Sequence, residues 1–164
     1  MSKAKVTALT ALVIASCVAF TQPWENTKYV AYRDIGGVWT ICDGVTYIDG
    51  KRVQEGQTAT KSECQKFTEA AHKVAGDAVL RLTVPLPLET FNAVEDFVYN
   101  VGATAYANST MRRLFNQGAY GFACEEFPKW KFAAGKDCTV KANKCGGIPA
   151  RREDERQQCW RGLQ

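Results

Sequence analysis

Histidine is nearly missing from this chain: one residue, His72, among 164. With no nucleophile motif to accompany it, Ser-His-Asp and Cys-His mechanisms find no support, and His72 reads as a helix-surface residue off the apolar stripe of its segment. No two cysteines stand in C-x2-C spacing, which argues against a structural zinc site. Long blocks of like charge are absent, and so is a dense basic stripe with interleaved aromatics, which argues against nucleic acid as a partner. Internal repeats and low-complexity segments are also lacking. No apolar run reaches the roughly 20 strongly apolar residues of a stable membrane-spanning helix.

What is present fits one globular domain with a full core. Apolar residues make up 46% and the net charge is +4, a mildly basic balance suited to anionic cell-wall polymers. Seven cysteines are many for a cytosolic protein of this size and point to an oxidising compartment. Six lie in the body of the chain. The pairings favoured are Cys42–Cys64, tying a hairpin to the next helix, Cys124–Cys159, joining two late helices, and Cys138–Cys145, closing a short loop. Each would add about 2–4 kcal/mol.

The most informative stretch runs from Trp24 to Thr46. It holds two carboxylates, Glu25 and Asp34, nine positions apart, with Thr40 six positions later. Tyr29–Tyr32 and Val38–Ile41 are short β-branched and aromatic runs around Gly36-Gly37, a hairpin signature. Two carboxylates and a hydroxyl suit glycoside hydrolysis, which needs an acid for the leaving oxygen and a second carboxylate across the sugar. Spacing alone does not separate this from surface charges.

The pattern E-x8-D-x5-T, followed by Gly44, resembles the phage-type lysozymes, glycoside hydrolase family 24. Further motifs follow in order: Phe97 to Gly102 resembles the family's FxxNxG helix end, and Asn108 to Arg113 its next helix start. Trp130-x-Phe-x-x-Gly135 and Gly147 to Arg156 resemble its C-terminal segments. The resemblance spans residues 23 to 163. It implies an α+β fold, phage-lysozyme-like, with a small β-hairpin lobe and a larger helical lobe around a central helix at Phe91 to Val101.

The same resemblance implies the roles. Glu25 matches the general acid, Asp34 the carboxylate that positions water, and Thr40 the hydroxyl that holds it. The expected reaction is hydrolysis of the β-1,4 bond between N-acetylmuramic acid and N-acetylglucosamine in peptidoglycan, with inversion, by a monomer that needs no metal or organic cofactor and lyses the host cell. A lytic transglycosylase and an inactive cell-wall binder are the alternatives. Two positions depart from the pattern. Asn26 stands where the family usually has Gly, and Val45 where it has a structural His.

The N-terminal segment, residues 1–22, carries Lys3 and Lys5 and then a short apolar run diluted by Ala, Thr and Ser. A cleaved signal peptide, a lipoprotein signal at Ile14 to Cys17 and a weak anchor all fit. With the resemblance, the reading taken is a signal-arrest-release segment: export to the periplasm, an initial tether to the inner membrane through residues 6–20, then release of the lysozyme domain, 23–164. Cys17 is a possible redox switch.

Farther along, Thr60 to Glu63 is a capping box. Cys64, Phe67, Ala71, Val74 and Ala78 then form the expected buried face of a helix. Phe91, Val94, Phe97, Val98 and Val101 form the stripe of the central helix, closed by Gly102. Ser109 or Thr110 caps the next. Tyr120 to Ala133 reads as helical, with a new turn starting at Pro128 within it and Trp130 a core side chain. The last helix, Ala150 to Trp160, carries Arg151, Arg152, Glu153, Glu155 and Arg156, read as mutually paired surface charges rather than contacts to peptidoglycan peptides.

Overall fold

A computed structural model describes residues 5–34 and 36–164. The first strand, β1 (Lys5–Val6), is followed by helix α1 (Ala11–Thr21). The small lobe follows, built from the hairpin β2 (Lys28–Arg33) and β3 (Trp39–Cys42) and a second hairpin, β4 (Tyr47–Ile48) and β5 (Lys51–Arg52). Helix α2 (Lys61–Leu82) leads back to β6 (Leu86–Pro87), which pairs antiparallel with β1. The helical lobe comprises α3 (Leu88–Val101), α4 (Ala103–Ala107), α5 (Thr110–Asn116) and α6 (Tyr120–Cys124), then the hairpin β7 (Phe132–Ala133) and β8 (Lys136–Asp137), and α7 (Gly147–Leu163).

α3 is the axis of the molecule. Thr90 to Val98 are buried without interruption, because α1, α2 and α7 pack around it. An ordinary amphipathic helix buries one stripe; α3 is enclosed on all sides, and the polar Asn92, Glu95 and Asp96 are enclosed with it. α7 approaches its first turn closely at Gly162, where a β-carbon would lie 2.6 Å from Thr90 N.

α2 opens on the expected capping box: Glu63 N donates to Thr60 Oγ1 at 3.2 Å and Thr60 N to Glu63 Oε2 at 2.7 Å. Its buried face is the expected one in part, with Cys64 and Ala78 buried and Phe67 partly so. Val74 is 70% exposed, whereas His72, read as a surface residue, is 1% exposed. The helix serves two partners in turn. Cys64 packs into the small-lobe cluster, while Ala75, Ala78 and Val79 join the main core. The buried residues form one stripe along both halves, Cys64, Thr68, His72, Ala75 and Val79 at three- and four-residue steps, turned away from the one expected through Val74.

Tyr120 to Ala133 is not one helix. α6 ends at Cys124, and Phe127–Lys129 forms a separate 3-10 turn with Pro128 near its start, where a ring without an N–H is tolerated. α7 begins earlier than expected, at Gly147, and Arg151, Arg152 and Glu155 on it are buried rather than on the surface. Disulfides join Cys42 to Cys64, Cys124 to Cys159 and Cys138 to Cys145, the pairs named from sequence. The described part of the N-terminal segment lies in the same core as the rest, through Val6 and Cys17.

Candidate active site

A cleft of about 570 Å³ separates the lobes, with Glu25, Asp34, Asp43, Val45, Tyr99 and Asn100 among its walls. A larger hollow of about 730 Å³ lies between α1 and α2. Its walls are mainly apolar side chains of α1, faced by Lys66, Glu69 and Lys73 of α2, so it holds one carboxylate and not the pair that acid–base work on a sugar needs.

Glu25 sits on the short connection between α1 and β2, and its neighbours are pinned on both sides. Trp24 Nε1 donates to Asp154 Oδ2 on α7 at 3.2 Å, and Thr27 Oγ1 to Asp43 Oδ1 at 2.5 Å. The Glu25 side chain is 17% exposed and accepts from Arg151 Nη1 at 2.9 Å. Burial pushes its carboxyl above the ordinary range; Arg151 opposes the shift, and the charges of Asp96 and Asp43 add to it. A carboxyl so placed is protonated in part at a pH where a free glutamate has ionised.

Arg151 was missed as a site residue. Its Nε and Nη2 donate to the two oxygens of Asp96, at 3.0 and 2.7 Å, a fork that only guanidinium provides. Burial pushes Asp96 upward, but Arg151, with help from Glu155 and Thr21, outweighs it and holds the carboxyl below the ordinary range. Glu155, enclosed nearby, is pushed well above its range by the same burial. Arg152 donates to Asn100 Oδ1 at 2.6 Å and lies over the Phe97 ring, so it braces the cleft wall at Asn100. The sequence signal was the Arg151-Arg152 pair itself, within a family-like motif; its spacing fits a solvated helix face equally well.

Asp34 lies at the tip of the β2–β3 hairpin. Its Oδ1 accepts from Gly36 N at 2.9 Å and Val38 N at 2.8 Å, an Asx-type turn that the short side chain completes on its own backbone. The glycines have separate tasks. A β-carbon on Gly36 would crowd Asp34 Oδ1 at 3.3 Å, while Gly37 has φ +76°. Thr40 is 2% exposed, pairs in register with Tyr32 and donates to Val38 O at 3.0 Å. Glu25 and Asp34 therefore share the cleft, and Thr40 stands behind it, outside the lining residues.

Asp43 was also missed. Cys42 and Gly44 on either side have φ of 54° and 97°, a sharp reversal anchored by the Cys42–Cys64 bond. That reversal brings Asp43 to Thr27 and to Thr68 Oγ1 at 2.8 Å, and Tyr99 Oη donates to its carbonyl at 2.6 Å. Below Tyr99, His72 stacks on its ring at 4.3 Å and pairs with Glu95 at 3.0 Å. Val45, at the position of the family's usual histidine, keeps the strand reversal through reciprocal backbone hydrogen bonds with Ile41 at 2.9 Å. Asn26, the other departure, is exposed.

Cys17 is the one free cysteine among the described residues and is buried; its thiol lies 3.4 Å from Asn92 Oδ1. No group of three or more metal-ligating side chains occurs among the described residues.

The family model described as phage lysozyme matches residues 22–155. The SAR-endolysin of Enterobacteria phage PA-2 is 38% identical over 141 residues, covering 85% of this chain and 79% of that protein. A crystal structure of the P22 lysozyme mutant L86M superposes with a TM-score of 0.72 at 28% identity, covering 97% of this chain and 100% of that one. The active form of the P1 phage endolysin Lyz superposes at 0.74 with 19% identity over 98% of both chains. Its secreted inactive form reaches 0.51 with 20% identity over 73% of this chain and 81% of that one.

Proposed function

The chain belongs to the phage lysozyme family and is a lysozyme-type hydrolase of the endolysin group, and on that premise we propose which bond it cuts and which side chains cut it. The substrate is a peptidoglycan glycan strand laid along the cleft, and the bond is the β-1,4 link between N-acetylmuramic acid and N-acetylglucosamine. Glu25 donates its proton to the leaving oxygen. Asp34 activates a water for the anomeric carbon, and the Thr40 hydroxyl helps hold that water by turning from the Val38 carbonyl.

The observation that supports this most is the contrast between the two carboxylates. Glu25 is enclosed, so burial favours its protonated form. Asp34 is instead held at a hairpin tip by two backbone N–H groups, which fix the direction of its carboxylate at the cleft wall. One cleft thus holds an acid and a base in separate surroundings.

Before release, residues 1–22 act as the anchor and residues 23–164 as the enzyme, tethered at the inner membrane and then freed into the periplasm as a monomer. The names of the SAR-endolysin relatives support this order of events. α1 is rich in apolar residues, and no helix among the described residues is long and apolar enough to cross a membrane. Cys17 is open to thiol exchange only while α1 is undocked, since docked it is buried and Cys42 is already bonded to Cys64.

The test is Glu25→Gln assayed on purified peptidoglycan by the release of reducing ends. The expected fall is on the order of a thousandfold; equal rates for the two proteins would remove Glu25 from the mechanism. Mass spectrometry of the products decides between hydrolysis and transglycosylation, since an anhydro-muramic end would exclude attack by water.

A further inference from the structure

Three polar side chains of α1 meet α3. Asn92 Nδ2 donates to Ser16 Oγ at 2.6 Å, Cys17 Sγ lies 3.4 Å from Asn92 Oδ1, and Thr21 Oγ1 donates to Asp96 Oδ1 at 2.6 Å. The first two tie α1 down at a distance from the chemistry. The third enters the site. Asp96 Oδ1 accepts from Thr21 and also from Arg151 Nη2 at 2.7 Å, and Arg151 Nη1 reaches Glu25 Oε1 at 2.9 Å. A hydroxyl on the last turn of α1 is therefore joined to the acid through two side chains. Thr21 is 1% exposed and Asp96 0%, too enclosed for bulk solvent to replace a lost donor.

Taking Glu25 as the acid, we propose that Thr21 is a positioning residue: by donating to Asp96 it sets how Arg151 is shared between Asp96 and Glu25. The reason lies in the rigidity of guanidinium. Its donors form a planar fork, so Arg151 cannot strengthen its hold on Asp96 without moving Nη1 relative to Glu25. With Thr21 in place, one oxygen of Asp96 is partly satisfied from α1. Without it, the buried carboxylate depends on Arg151 and Glu155 alone and draws the guanidinium toward itself.

The charged and titratable groups facing Glu25 come from several elements: Arg151 from α7, Asp96 and Tyr99 from α3, Asp43 from the turn after β3, Tyr32 from β2, and Asp34 across the cleft. α1 carries no charged residue. A change at Thr21 therefore reaches the acid through its neighbours and not through a charge of its own.

The experiment compares full-length released wild type with Thr21→Val, Thr21→Ser and Asp96→Asn on purified peptidoglycan. For Thr21→Val the expected result is about a tenfold fall in kcat, the scale of one charge-assisted hydrogen bond, with KM unchanged. The alkaline limb of the kcat/KM profile moves to higher pH, because less of the Arg151 charge then favours ionised Glu25. Thr21→Ser restores both. Asp96→Asn moves the limb the opposite way, since it removes a negative charge facing the acid. Wild-type kcat and an unmoved limb in Thr21→Val would overturn the proposal. So would a loss of activity that follows the melting temperature alone, with the limb in place. If Glu25→Gln, run beside them, matches wild type, the reading of Glu25 fails first, and that result is distinct from either.

Discussion

The two walls of the cleft present their carboxylates in opposite ways. On the helical wall the charges are enclosed: Asp96, Arg151, Arg152 and Glu155 lie between α3 and α7, each at most 6% exposed, with Glu25 at the edge. On the hairpin wall Asp34 is held by the backbone of its own turn and is open to solvent in part. The helical wall sets protonation through burial and specific partners, each depending on the others. The hairpin wall sets orientation through a local turn that depends on little beyond its glycines. An acid and a base are thus kept apart in character within one cleft.

The comparison breaks most directly at Arg151. Arg151→Met leaves Asp96 enclosed without its cation and should lower stability by about 3–5 kcal/mol, measured by denaturant unfolding. Its pH dependence carries a definite sign. In wild type Asp96 titrates below its unfolded value, so its contribution is complete above the ordinary carboxylate range and is lost as pH falls. In Arg151→Met the deficit relative to wild type should narrow on acidification, because Asp96 then folds in neutral.

A change on the hairpin wall should be smaller. Replacing Cys42 and Cys64 by Ser should cost about 2–4 kcal/mol. The loss should appear first as faster hydrogen exchange in β3 and the Asp43 turn, leaving α3 and α7 protected. Uniform deprotection would mean that the two walls are not separable. The smallest effect is expected at Val74. Despite its place on the apolar stripe read from sequence, Val74→Ser should change stability by no more than about 0.5 kcal/mol by thermal unfolding, since the side chain is 70% exposed.

Much of the hairpin wall was legible in the chain. Gly36-Gly37 between β-branched runs marks a turn, and Asp34 beside it is held by contacts within four residues. The disulfide pairs match the set favoured from the sequence, although six cysteines allow fifteen pairings and only the fold selects among them. Less was visible on the helical wall. His72 and Glu95 are 23 positions apart, Asp96 and Arg151 55, and Glu25 and Arg151 126. A charged residue on a helix reads as solvated unless its partner is known, which is why Arg151, Arg152, Glu155 and His72 were placed at the surface. Of the break after Cys124 only the new turn at Pro128 was legible, since the aromatic run continues through it.

By itself the amino-acid sequence determined the family, the local turns and caps, and the residue types present in the cleft, because these depend on neighbours a few positions away or on ordered motifs along the chain. Only the tertiary structure decided that α3 is enclosed on every side, that a charge network fills the space between α3 and α7, and that a threonine of α1 lies two side chains from Glu25. Burial of a charge becomes tolerable only when partners from distant segments arrive together, and no local pattern records that meeting.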